Sequence, residues 1–221
     1  MQLKDLLEIQ TGVTAVIGGG GKTTLLRTLG EELAQGGRVL LCTTTKILPY
    51  PGLPCAGNRA ELLELRERHG LLCAGTPVAG TEKITAPDMD MGELAGLFDY
   101  VLVEADGAAR RPLKAHAAHE PVIPAEANQT IFVVGASGFG KPIREAAHRP
   151  AIYAELAEAE QDAVVTAEIA AAVLNRENFH TRIYVNQLDA YPEMDEVRRM
   201  AALLECPVLA GSLWKGEYFV C

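Results

Sequence analysis

A chain of 221 residues that is 48% hydrophobic and 22% charged carries enough apolar surface for one large, well-buried core. Its net charge of −9, with no basic stretch and no basic–aromatic interleaving, argues against a nucleic-acid partner. Acids among the apolar residues of Met1–Glu8, and no run near the ~18 apolar residues a membrane span needs, argue against a leader or membrane partner.

In chain order, Val13–Ile17 predicts a first strand. Thr23–Ala34 predicts a helix with Leu25, Leu26, Leu29 and Leu33 on one side, ended by Gln35-Gly36-Gly37. Between them lie Gly18, Gly19, Gly20, Gly21, Lys22, Thr23 and Thr24. Glycines let a backbone wrap closely round an anion with successive N–H groups turned inward. The helix N-terminus adds partial positive charge, Lys22 adds a full one exposed on the loop, and the Thr23 hydroxyl suits Mg²⁺. That is a phosphate-binding P-loop. It is shorter than G-x-x-x-x-G-K-[ST], because Val16 stands where the first glycine belongs and only Gly18-x-x-Gly21-Lys22-Thr23 remains. The short form resembles the ATP loop of the Mur ligases and the loop of the MinD and urease-accessory NTPases, with Ile17 in place of the MinD subgroup's extra lysine. Arg38–Cys42 predicts a second apolar strand. It leads into Thr43, Thr44, Thr45 and Lys46, where P-loop proteins often contact metal or γ-phosphate and where helix capping is the competing role. Residues 48–90 read as an irregular insertion in a single domain of residues 1–221. Within it, Asn58–Arg68 looks helical, and Leu71–Ala74 and Lys83–Thr85 look like short edge strands.

Tyr100–Val103 predicts a third core strand ending in Glu104 and Asp106, two carboxylates spaced to share one side of an extended chain. A buried strand terminus is an expensive place for two acids unless a cation or donors meet them. Glu104 aligns with the metal-linked acid of short-loop ATPases and Asp106 with the strand-end acid of GTPases, so Thr23, Glu104 and Asp106 are the candidate Mg²⁺ ligands. Arg110, Arg111 and Lys114 follow. They are candidates to neutralise charge on a transferred phosphoryl group or grip an anionic acceptor, with a solvated charged face as the alternative. After a fourth strand, Thr130–Val134, comes Gly135–Lys141 with Gly138, Gly140 and Lys141. It fits G-x-x-x-x-G-K, but Pro142 stands where the metal-binding hydroxyl belongs. It is an active-site or gating loop, a structural turn, or a second nucleotide site. His148 and Arg149 are candidate anion contacts. His116 and His119 lack the partners of a metal site.

Helices near Ala151–Glu160, Ala167–Asn175 and Met194–Leu204 then alternate with strands Arg182–Val185 and Pro207–Leu209. The prediction is an α/β, three-layer P-loop NTPase-type domain with a mostly parallel central sheet. Asn186-Gln187-Leu188-Asp189 resembles the N-K-x-D motif of GTPases, in which the carboxylate accepts from guanine's two N–H groups and the asparagine braces the loop. Gln187 replaces the lysine that covers the base, and Asp189 could instead open a turn before Tyr191-Pro192. Gly211 and Ser212 end a strand where GTPases place a donor to the guanine O6. The candidate nucleotide is therefore GTP, with ATP the alternative. Five cysteines without a C-x-x-C pair read as reduced thiols of a cytoplasmic protein, and Cys42 reads as a buried strand residue.

The motifs G-G-G-G-K-T-T, T-T-T-K, V-E-A-D-G-x-x-x-R-P-L-K, H-E-P-V-I-P, G-x-x-x-x-G-K-P-I, H-R-P and N-x-x-D occur here in one order. Across residues 13–212 the chain resembles the YqeC family, described as selenium-dependent hydroxylase accessory proteins. The resemblance implies a role in maturing selenium-dependent molybdenum hydroxylases, with the hydroxylase or its cofactor as partner. Three readings follow: an NTP-hydrolysing maturation factor, a small-molecule kinase or nucleotidyl-type transferase acting on the molybdenum cofactor or a selenium compound, and a nucleotide-gated binding module without turnover.

Overall fold

The computed structural model describes residues 2–190 and 194–221. The elements run α1 (Leu3–Leu6), β1 (Gly12–Gly18), α2 (Lys22–Leu33), β2 (Val39–Thr43), β3 (Cys55–Ala56), α3 (Arg59–Arg68), β4 (Leu71–Ala74), β5 (Thr76–Pro77), β6 (Ile84–Thr85), α4 (Met91–Leu97) and β7 (Tyr100–Glu104). They continue through β8 (Leu113–Lys114), β9 (Ala127–Gly135), α5 (Ile143–Ala146), β10 (Ala147–His148), α6 (Pro150–Ala157), α7 (Ala167–Glu177), β11 (Arg182–Asn186), α8 (Met194–Ala201), β12 (Val208–Ser212) and β13 (Glu217–Val220). The chain is an α/β protein built on a mostly parallel nine-stranded sheet. No helix among the described residues is long and apolar enough to cross a membrane.

The residues gather into two compact units. The first holds the chain up to Val16, Thr23–Gly107 and Val122–Thr130; the second holds Ile17–Lys22, Ala108–Pro121 and Ile131–Cys221. In the first unit the strands lie in the order β1-β7-β2-β4-β3, all parallel, with Val13 opposite Val101 and Val39 opposite both Tyr100 and Leu71. Successive side chains point to opposite faces. Leu40, Cys42, Val101 and Val103 pack with Leu62 of α3 and Leu94 of α4. Leu41 points the other way, toward α2, where Gly30 brings the helix so close that a Cβ would stand 3.2 Å from Leu41 and 3.0 Å from Leu71. Helices therefore cover both faces, which is why these strands read as continuous apolar runs. β4, expected at an edge, lies inside the sheet. Leu72, Cys73 and Ala74 are buried, and the shorter β3 takes the edge position.

In the second unit β9 pairs with β11 and β11 with β12 in parallel, while β13 adds an antiparallel edge. Helix starts follow local chemistry. Asn58 caps α3 by accepting from Glu61 N–H, Asp90 caps α4 by accepting from Gly92 and Glu93, and Thr166 caps α7 by accepting from Ile169. The helix expected to reach Glu160 ends at Ala157, where Glu158 turns left-handed with φ +52°, and α8 ends at Ala201, short of Leu204.

Candidate functional site

In the second unit, the glycine loop leaves the end of β1 and is held by neighbouring backbone. Gly19 N–H donates to Val133 O at 2.9 Å and Gly20 N–H to Arg111 O at 3.1 Å. Two amides expected to face an anion are thus satisfied within the protein. The start of α2 offers a phosphate the donors that a helix leaves without an internal acceptor in its first turn. Glycine is required at Gly20 and Gly21 on two counts. Their φ values are +83° and +129°, and an added Cβ would stand 2.4 Å from Gly135 Cα and 2.4 Å from Asn186 Nδ2. Lys22, expected exposed, is 6% exposed, because its ammonium folds back to donate to Gly18 O at 2.8 Å.

Asn186, at the end of β11, ties this loop to the chain after β12. Its Nδ2 donates to Gly20 O at 2.8 Å and its Oδ1 accepts from Leu213 N–H at 3.2 Å. Asp189 accepts from Ser212 Oγ at 2.6 Å, and Ser212 Oγ in turn accepts from Lys215 N–H at 3.1 Å. Gly211 O accepts from Leu188 N–H at 3.2 Å. Asn186, Asp189, Gly211 and Ser212 are thereby brought together around one loop pair. Gln187, with φ +72°, is turned away to accept from Ser137 Oγ at 2.6 Å.

The basic segment divides. Arg110 and Arg111 are exposed, and Arg111 donates to Glu145 O. The Lys114 side chain is fully buried and paired with Glu120 at 2.8 Å, and Arg149 reaches the same carboxylate oxygen at 3.1 Å. Burial pushes the Glu120 carboxyl up, but the Lys114 and Arg149 charges outweigh it and hold the group below the usual carboxylate range. His148 lies on β10, whose partner β8 carries Lys114. The second glycine loop closes on protein acceptors: Phe139 N–H donates to Ala136 O, Gly140 N–H to Val165 O and Lys141 N–H to Gly138 O, and Leu113 presses on Gly138. Lys141 is exposed. With those donors occupied, the loop offers an anion little, which weighs against a second nucleotide site there. His116, read from the sequence as a surface or substrate contact, is instead buried edge-on to Phe132 and Phe179 with its Nδ1 2.8 Å from Glu177 Oε2, a pairing for which the 61-residue separation leaves no local signal.

In the first unit, Thr23 directly follows Lys22 in the chain, and its hydroxyl donates to Glu104 Oε2 at 2.9 Å. Glu104 ends β7 and is 6% exposed, and Asp106 beyond it is buried. The threonine run holds this strand end. Thr43 Oγ1 and Thr44 N–H both donate to Glu104 O, at 2.8 and 3.1 Å; Thr45 N–H donates to Thr43 Oγ1, and Thr44 Oγ1 to Val122 O. Thr24 and Lys46 are exposed. Tyr50 is a further residue the sequence did not single out, lying in a stretch rich in proline and glycine. It is 2% exposed, and burial, then the Glu104 charge, push its phenol well above the usual range. Burial pushes the Cys42 thiol up to about 12. Among the described residues no group of three or more His, Cys, Asp or Glu side chains could hold a metal. A hydroxyl and a carboxylate on adjoining element ends fit Mg²⁺, which takes one or two protein oxygens and completes its shell with phosphate and water.

A family model described as YqeC protein matches residues 14–151. The YqeC protein of Escherichia coli (strain K12) is 30% identical over 171 residues, 69% of this chain and 63% of that protein, so the chain spans a little under two thirds of that relative's length. Among solved structures, chloroplast FtsY from Physcomitrella patens superposes with a TM-score of 0.49 at 15% identity, over 92% of this chain and 59% of that one. The 54 kDa signal recognition particle protein from Aeropyrum pernix K1, in complex with GDP, gives 0.44 at 14% identity over 96% and 44%.

Proposed function

This chain belongs to the YqeC family, and we propose that it is a P-loop protein that binds a Mg²⁺-nucleotide, GTP in preference to ATP, and hydrolyses it. The observation that carries the reading is the Thr23–Glu104 hydrogen bond at 2.9 Å immediately after the glycine loop and Lys22. A hydroxyl at a helix start paired with an acid at a buried strand end is what Mg²⁺ at a nucleotide's phosphates needs. Bound there, Mg²⁺ would screen the charge of the β- and γ-phosphates. Lys22 would exchange Gly18 O for a phosphate oxygen, the α2 N-terminus would supply amide donors, and Glu104 and Asp106 would hold the cation and its waters. Arg110 and Arg111 would meet charge developing on the γ-phosphoryl group.

The base preference rests on Asp189. Ser212 orients its carboxylate and Asn186 braces the loop behind it, an arrangement suited to guanine's paired N–H donors. Burial of Lys114 against Glu120 removes one of three cations from any acceptor-gripping set, which favours hydrolysis over transfer to a small molecule. The accessory role toward selenium-dependent molybdenum hydroxylases is part of the proposal and is supported by the family's motifs alone. Turnover of GTP and ATP by wild type and Glu104→Gln, with nucleotide affinity measured in parallel, tests the reading. The expected result is Mg²⁺-dependent GTP hydrolysis that falls more than affinity does in the variant. Equal metal dependence in both proteins would move the metal role away from Glu104.

A further inference from the structure

Cys55 and Cys73 face each other across neighbouring parallel strands, since β3 pairs with β4 in the register Cys55 to Cys73 and Ala56 to Ala74. Adjacent strands lie about 4.8 Å apart, inside the roughly 4.4–6.8 Å between Cα atoms that a disulfide spans. The two thiols share a hydrogen bond, and Tyr50 N–H donates to the Cys73 sulfur. Cys55 is half-buried and so within reach of a small reagent, while Cys73 lies behind it, buried. Only two residues make β3, at the edge of the sheet, held through Cys73 N–H to Pro54 O at 2.8 Å and Gly75 N–H to Ala56 O at 3.0 Å. Bonding the two sulfurs requires them to approach to about 2.05 Å, which side-chain rotation together with movement of so short an edge strand can supply.

We propose that Cys55 and Cys73 form a reactive dithiol that exchanges with low-molecular-weight disulfides, with Cys55 as the attacking thiol and Cys73 as the resolving one. The Cys55 thiolate attacks one sulfur of a small disulfide RSSR, forms a mixed disulfide and expels RS⁻, which takes up the proton Cys55 gave up. Cys73 then loses its proton and attacks Cys55 Sγ, closing the Cys55–Cys73 disulfide and expelling the second RS⁻, which leaves as RSH. Two thiols are oxidised and one RSSR is reduced to two RSH. The division of labour follows the environment. The hydrogen bond from Cys73 holds the Cys55 thiol below its ordinary pKa, and the same bond, then burial, holds Cys73 above it. Cys42 is buried, and burial raises both Cys206 and Cys221.

The test titrates folded wild-type protein with mixtures of oxidised and reduced glutathione, quenches with acid, alkylates the remaining thiols and maps the peptides. The expected product is a Cys55–Cys73 cross-link that appears and disappears as one species with the glutathione ratio. Cys73→Ser should instead accumulate glutathione on Cys55, at least about tenfold above wild type, because the resolving step is lost. Phenylarsine oxide, which bridges paired thiols, should bind folded wild type at these two residues and block the cross-link. This arm needs no variant to fold. Glutathione remaining on Cys55 in wild type without a cross-link, or reaction at Cys221 with Cys55 untouched, would overturn the proposal.

Discussion

A lysine whose side chain is fully buried needs a counter-charge, and Glu120 supplies it to Lys114. Glu120→Gln should lower unfolding free energy by about 3 kcal/mol, the lower end for breaking a buried pair, since Glu120 itself is 14% exposed. Because the folded Glu120 pKa lies below its ordinary 4.5, its stabilisation is fully present above that pH and is lost as pH falls through the folded value. Denaturant unfolding at several pH values should therefore show a wild-type-to-variant gap that is widest near neutrality and closes in acid; a gap that grows in acid would contradict the pairing. At Asp189 the question is recognition. Asp189→Asn keeps a partner for Ser212 but turns an acceptor pair into a mixed donor and acceptor. It should weaken GTP by about 1–3 kcal/mol, gain relative affinity for XTP, and leave ATP nearly unchanged. Competition binding with the three nucleotides decides this, and equal loss for GTP and ATP would reduce Asn186–Asp189 to a turn. Cys42, with its pKa pushed up to about 12, should resist alkylation at pH 8 until the protein unfolds.

At the scale of elements, two glycines with opposite surroundings give a contrast. Gly20 sits at φ +83° with backbone 2.4 Å from where a Cβ would go, so Gly20→Ala should cost at least about 2 kcal/mol. Gly96 lies in α4 with ordinary φ and nothing within 4 Å, so Gly96→Ala should stabilise by about 0.5–1 kcal/mol. Thermal unfolding of both variants checks the pair. The same glycines explain what was legible in the sequence. The core strands announced themselves through unbroken apolar runs, and α3 was legible as a helical stretch whose start the structure caps with Asn58. α4 was not, because Gly92 and Gly96 lower its helix propensity below its packing role, which Leu94 reveals only in the folded core. β3 and β13 are short edge elements whose pairing is set by the neighbour strand, which no local pattern encodes. The loop pattern placed Lys22 correctly at a helix start but not its burial, since the acceptor at Gly18 depends on how the loop folds over itself.

At the scale of the molecule, the chain has an α/β sheet, a glycine loop opening a helix, and a loop pair that gathers Asn186, Asp189, Gly211 and Ser212, and it belongs to the YqeC family. A ligand that binds only the folded state stabilises it by mass action, about 2.7 kcal/mol at one hundred times its dissociation constant. Mg²⁺-GTP should therefore raise the unfolding temperature of wild type more than Mg²⁺-ATP at equal concentration. The most direct test of the central claim is calorimetric titration of Mg²⁺-GTP into wild type and into Lys22→Ala, with folding of both checked by circular dichroism. The account predicts saturable binding by wild type and an affinity at least about 100-fold weaker in a folded Lys22→Ala protein, ~2.8 kcal/mol at 1.4 kcal/mol per decade. Unchanged GTP affinity in that folded variant would contradict it.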